Sequence, residues 1–154
     1  MLFRSCFCLH VVFVTTDILC PNAAPHFEKK DPVFARWCRN SAIEDFQFAI
    51  DLLDTQRTEQ NETELYALAT VTAMRLYRLT QDVYYLDWAT QLARTVLAGQ
   101  QLEKRTDWKI PLRGFFYESS RKKRILAYYH QSQEHLMALP MTTAWNPQIG
   151  RAHV

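Results

Sequence analysis

The residues with the densest chemistry stand close together: Tyr128, Tyr129, His130, Gln131, Glu134 and His135. Spacings of three and four bring helical side chains onto one face, so Gln131, Glu134 and His135 would share a side. His130 and His135 are five apart, not the four at which two histidines of one helix grip a single zinc ion. The cluster therefore reads as the polar wall of a sugar cleft, as a set of structural hydrogen bonds, or, against the spacing, as a metal site. We expect no metal there.

Glycoside hydrolysis needs two carboxyl groups facing each other across a sugar ring, one to protonate the leaving oxygen and one to act as base or nucleophile. Asp87, Asp107, Glu118 and Glu134 are available, but spacing alone pairs none of them. Asp87 reads as a helix-surface partner for nearby basic groups, and Glu118 follows Tyr117 in an aromatic stretch with Trp108, Phe115 and Phe116. Several other chemistries are excluded. With only Gly99, Gly114 and Gly150 there is no glycine-rich phosphate loop, and no G-x-S-x-G occurs. Cys6, Cys8, Cys20 and Cys38 contain no C-x-x-C pair, so they read as free or buried thiols rather than a zinc set. No cofactor is expected.

Composition agrees with an ordinary globular chain: 154 residues, 48% hydrophobic and 22% charged. A net charge of +2 argues against a nucleic-acid partner, because phosphate binding shows as a concentrated basic face. The one basic run, "RKKR" at 121–124, reads as a solvated helix start or loop, with an anion or partner site as the alternative. Aromatic residues reach 13%, and an excess of Tyr and Trp suits surfaces that stack flat, partly apolar ligands such as sugars.

These residues need elements to hold them. The early run "HVVFVTTDIL" is rich in β-branched residues and reads as extended, too short and too polar to span a membrane. "CPNAAPHFEKKDP" carries three prolines and reads as an irregular connection. Asp31 followed by Pro32 predicts a helix start, and Ile43, Phe46, Ile50 and Leu53 draw one apolar stripe to about Thr55. Asn61 and Glu64 have capping-box spacing. They open a second helix with Leu65, Leu68, Ala69, Thr72, Leu76 and Leu79 on one side. Tyr66, Ala73 and Tyr77 on its other side predict packing on two neighbours. A turn at 80–82 leads to a third helix, with Leu86, Ala89, Leu92, Ala93 and Val96 facing inward, that stops near Gly99. After it, Pro111 and Gly114 break the pattern into an aromatic loop or irregular strand, and a last helix is expected from about Ser132. The fold class is thus all-α, with antiparallel helical hairpins and a short extended start.

The hairpin "LYRLTQDVYYLDWATQLARTVL", followed by "WKIPLRGFFYE" and "YYHQSQEH", resembles the catalytic domain of the six-hairpin glycosidases, most of all bacterial proteins of the glycoside hydrolase family 9 type. The resemblance covers about 26–140. It implies an (α/α)6 toroid, inverting hydrolysis of a β-linked glycan, and an oligo- or polysaccharide as partner. It also implies that Trp108, Tyr117, His130 and His135, together with Glu134, line the cleft. The family's Asp-Ala-Gly-Asp stretch and its late catalytic Glu are absent, so no catalytic residue is carried over. The alternatives are a non-catalytic helical-repeat interaction module, or a sugar epimerase or unsaturated-uronide hydrolase on the same toroid. Localisation stays open, a secreted or periplasmic parent being compatible with the resemblance.

The two ends read differently from the rest. The codons ATC GGA AGA GCA CAC GTC encode residues 149–154 and spell the start of a common short-read adapter; residues 1–5, "MLFRS", can be written with the end of the opposite one. On that expectation 6–31 is the extended segment and loop, and 32–148 is part of a toroid domain. Twelve helices of about 12 residues with connections of about 5 would need roughly 200 residues. A partial toroid leaves apolar faces without partners, so marginal stability and inactivity of the isolated chain are expected.

Overall fold

The computed structural model describes residues 20–109 and 112–126. Four helices carry these residues: α1 (Cys20–Phe27), α2 (Pro32–Gln56), α3 (Glu62–Thr80) and α4 (Val83–Ala98). No strand is present among the described residues, only two isolated antiparallel bridges, so this part of the chain is all-α. The extended reading of 10–19, the last helix from Ser132 and the adapter-like ends lie outside the described residues.

One connection was misread from its prolines. Cys20–Phe27 is a helix with Pro25 inside it, where an irregular link was expected. Pro21 falls in the first turn, where backbone N–H groups have no intrahelical partner anyway, so only Pro25 removes a helical bond. Ala24 is buried and gives the short helix its anchor against α2.

The other boundaries follow local chemistry. The Asp31 carboxylate accepts from the Phe34 N–H at 3.0 Å and Pro32 occupies the first helical position, as the sequence suggests. Asp82 repeats the device for α4, accepting from the Tyr84 N–H at 3.0 Å. Between them Gln81 turns the chain with a left-handed φ of 59°. Two residues separate α3 from α4, which folds the pair into a tight hairpin.

Asn61 does not form the expected capping box. Its Oδ1 accepts from the Thr58 N–H and hydroxyl, at 2.6 and 3.0 Å, and makes no side-chain cap bond to α3. A distant carbonyl does that work: the Thr63 N–H in the first turn of α3 donates to the Glu118 oxygen at 2.9 Å. No spacing rule could anticipate a cap supplied from 55 residues away, the interval between Thr63 and Glu118.

The core lies where α2, α3 and α4 meet. Phe46, Ile50 and Leu53 of α2 face it, and Phe46 meets Tyr85 of α4 edge-on at 5.7 Å between ring centroids. Every position of α3 from Leu65 to Met74 is buried, which is the two-sided packing anticipated from its small-and-aromatic second line. Alanines at 42, 49, 67, 69, 73 and 89 let the helices approach closely. Buried Thr70 and Thr72 keep their hydroxyls satisfied by donating to the Tyr66 and Leu68 carbonyls one turn earlier, at 2.7 and 3.0 Å. Cys38 is a free, buried thiol. Outside the core, Phe27, Phe34 and Trp37 form an aromatic row at the start of α2, with Val33 78% and Trp37 60% exposed.

Candidate functional site

After α4 the chain runs back and forth across one end of the hairpin. The sequence explains why. Gly99 ends the helix without a left-handed turn, at φ −79°, contrary to the usual role of a glycine there. What it supplies is room: a Cβ at Gly99 would stand 2.8 Å from the Thr63 hydroxyl oxygen of α3. Close approach at that point seats the next residues on α3. Gly114, at φ +93°, is the residue in the left-handed region that brings the chain back.

Three short runs then pair. The Tyr117 N–H donates to the Gly99 carbonyl, Gln101 N–H to Phe115 O, and Leu126 N–H to Phe116 O, each at 2.9 Å. The isolated bridges Gln100 with Phe116 and Tyr117 with Ile125 mark the same register. The "GFFYE" stretch, expected as a loop or irregular strand, is thus a loop carrying two isolated bridges. Alternation along it separates the aromatics by face. Phe116 enters the core of the helical hairpin, and Phe115 and Tyr117 turn the other way.

On that second face the rings form a ladder. Trp108 stacks on Phe115 at 5.7 Å with 23° between planes, and Phe115 meets Tyr117 at 5.3 Å. The Arg105 guanidinium lies over the Trp108 ring, 5.3 Å from its centroid. Asp107 grips Arg105 through two hydrogen bonds, 2.7 and 3.1 Å, and this bonding holds the Asp107 carboxyl below its ordinary range. Tyr117 is buried, and its hydroxyl donates to Gln101 Oε1 at 3.2 Å.

The basic run is tied down rather than free. Arg121 and Lys123 both pair with Glu59 in the α2–α3 connection, the Lys123 contact at 3.1 Å. Arg124 stands 3.6 Å from Glu118, and Lys122 donates to the Gln100 carbonyl at 2.9 Å. Lys123 above all, then the charge of Arg121, holds Glu59 below its ordinary value. Glu62 adds a further tie, accepting from the Ser120 hydroxyl at 2.8 Å. The loop reading of 121–124 is thus the observed one, and Arg121 and Lys123 tie the loop to the α2–α3 connection.

Of the residues singled out from sequence, the fold brings Trp108 and Tyr117 into one ladder. His130, Glu134 and His135 lie outside the described residues. Glu118 and Asp107 are each next to an arginine, and Asp87 is exposed on α4. No group of His, Cys, Asp and Glu able to hold a metal occurs among the described residues, nor any helix long and apolar enough to cross a membrane.

Sequence reasoning passed over a concavity between the end of α2, the start of α3 and the middle of α4. It holds ≈180 Å³ and is walled by Trp88, Tyr66, Asp54 and Gln91 over a floor of Ile50, Leu53 and Leu92. The Tyr66 hydroxyl donates to Asp54 Oδ1 at 3.3 Å and accepts from Arg57 at 3.2 Å. Burial pushes the Tyr66 phenol up, Arg57 opposes the shift, and Asp54 adds to it. These residues come from three helices, and only their packing assembles them. Comparison of the chain with known protein families, curated proteins and solved structures finds no match to any of them.

Proposed function

We propose that the chain is part of a carbohydrate-active enzyme, a glycoside hydrolase acting on a β-linked glycan, and that its helices belong to an (α/α)6 toroid. The observation that supports it most is the ladder Trp108–Phe115–Tyr117, held by its own hydrogen bonds at one end of a helical hairpin. Tyr117 is the buried base of this ladder and Trp108 and Phe115 are its half-exposed end; an aromatic edge with Arg105 and Asp107 beside it suits sugars, whose apolar ring faces stack while their hydroxyls need partners. The resemblance of the hairpin, the "GFFYE" stretch and the "YYHQSQEH" stretch to the six-hairpin glycosidases points the same way. Catalysis is not assigned to the described carboxylates, because Asp107, Glu118 and Glu59 all serve local ion pairs.

A repeat module is the rival from another class, and the helix lengths weigh against it. Helices α2, α3 and α4 have 25, 19 and 16 residues, with no common period.

The test is affinity electrophoresis of the purified chain through gels containing soluble β-glucan, xylan or mannan, beside the Trp108→Ala variant. Retardation by one polymer, lost in the variant while its circular dichroism is kept, is the expected result. No retardation by any β-glycan, or retardation indifferent to Trp108, overturns the reading. Extending the open reading frame on both sides supplies the second check: acidic stretches and about seven further helices are expected, whereas hairpins at one fixed period would favour the repeat module.

A further inference from the structure

We infer that the concavity at the junction of α2, α3 and α4 is a binding site for a single uncharged, hydroxylated ring of monosaccharide size. Size is the first argument. At ≈180 Å³ the space is smaller than the ~300–1,000 Å³ of pockets that enclose drug-sized ligands, so it seats one ring, and further rings of an oligomer would stand in solvent and add no contacts. Charge is the second. Asp54 is the one ionisable acid on the wall, and the Arg57 guanidinium stands 3.4 Å from its Oδ1. A wall already balanced in charge offers no advantage to an anionic or cationic ligand.

The third argument is the division of surfaces. Ile50, Leu53 and Leu92 make an apolar floor and Trp88 an aromatic wall, whereas Asp54, Gln91 and Thr95 stand at the polar side. A ring with an apolar face and a rim of hydroxyls matches that division, stacking on the indole and exchanging hydrogen bonds with the carboxylate and amide. The polar side has partners of its own: Asp54, exposed at the mouth, accepts from the Tyr66 hydroxyl at 3.3 Å and stands 3.4 Å from Arg57, which leaves its second oxygen for a ligand hydroxyl. This site is built from residues other than the aromatic ladder and does not depend on the glycan reading of that ladder.

Saturation-transfer NMR on the full chain tests it, with glucose, galactose, mannose, xylose and myo-inositol as neutral rings, glucuronate and glucosamine as charged ones, and cellotriose as the oligomer. A neutral ring is expected to bind with Kd on the order of 1–10 mM, and cellotriose no tighter than its monomer. Gln91→Ala, at an exposed position that leaves the fold intact, weakens binding about five-fold, the equivalent of one hydrogen bond. Trp88→Leu weakens it further, and Trp108→Ala leaves it unchanged. Binding that survives both Trp88→Leu and Gln91→Ala, binding lost with Trp108→Ala, preference for a charged ring, or no transfer to any neutral ring overturns the inference. Because the ladder is tested on polymers with Trp108→Ala, either site can fail while the other stands.

Discussion

Gly99→Ala is the most informative single change, because two effects of opposite sign meet at that position. At φ −79° an alanine fits the backbone, and loss of freedom in the unfolded chain would stabilise by about 0.4–1 kcal/mol. Against that, the added methyl meets the Thr63 Oγ1 at 2.8 Å, and Thr63 is 1% exposed, with no space to retreat into. Overpacking of this kind costs about 1–3 kcal/mol, so we expect a net loss of about 1–2 kcal/mol. For a chain of this length that lowers Tm by about 2–8 °C.

Thr63→Ala offers the control. The Thr63 hydroxyl is buried with no hydrogen-bond partner, so removing it relieves a desolvation cost that offsets the lost methyl burial, and the single variant should be near neutral. In that background the clash partner is gone, and Gly99→Ala should change sign. The gain would lie at the low end, because the Val96 carbonyl oxygen still stands 3.3 Å from the new Cβ. Urea and thermal melts of the four proteins, followed by circular dichroism, measure the cycle. If Gly99→Ala costs the same in both backgrounds within about 0.5 kcal/mol, the contact does not govern the site and the argument is refuted. A site-level consequence follows, since the Gly99 carbonyl accepts from the Tyr117 N–H: a displaced Gly99 shifts the base of the aromatic ladder.

Three further outcomes are expected. Phe46→Ala empties the centre of the core beside Tyr85 and should cost about 3–5 kcal/mol, enough to abolish a cooperative urea transition if the chain is as marginal as its exposed apolar residues suggest. Asp31→Ala should cost about 1 kcal/mol in the same assay and Asp31→Asn much less, because asparagine also caps; equal losses would deny Asp31 its capping role. Glu59 is held below its ordinary value of 4.5, so its contribution is complete above that value and is lost as pH falls through the depressed one. Protection factors at 119–124, corrected for the intrinsic pH dependence of amide exchange, should therefore fall in acid while helical circular dichroism persists. Glu59→Gln should bring the same loosening at neutral pH, read as faster tryptic cleavage after Arg121; a variant as protected as the wild type would remove the clamp from the account.

The local grammar of the chain was legible in advance. Asp31-Pro32 and Asp82 start helices because their carboxylates reach backbone N–H groups two or three residues on, a contact complete within one turn. The stripe Phe46, Ile50 and Leu53 and the two-sided character of α3 follow from helical periodicity, and the break at Gly114 from the positive φ that glycine tolerates. The short helix at Cys20–Phe27 was not legible, since proline density argues against it unless one knows that Ala24 is buried. The capping box failed for a similar reason: Asn61 found a nearer partner in Thr58, and the free end of α3 found Glu118.

Composition and spacing thus determined by themselves that the chain makes helices, where three of them begin and stop, and which faces turn inward. Those are matters of bonds and side chains within a turn or two of each other. Tertiary structure alone decided that Gly99 is needed for space and not for φ, and that Arg121 and Lys123 of "RKKR" reach Glu59. It alone gathered Trp88, Tyr66 and Asp54 from three helices around one cavity. The physical reason is common to all three: each depends on surfaces brought together across long stretches of chain, and the chain closes those distances only when burial of the shared core repays the entropy of doing so.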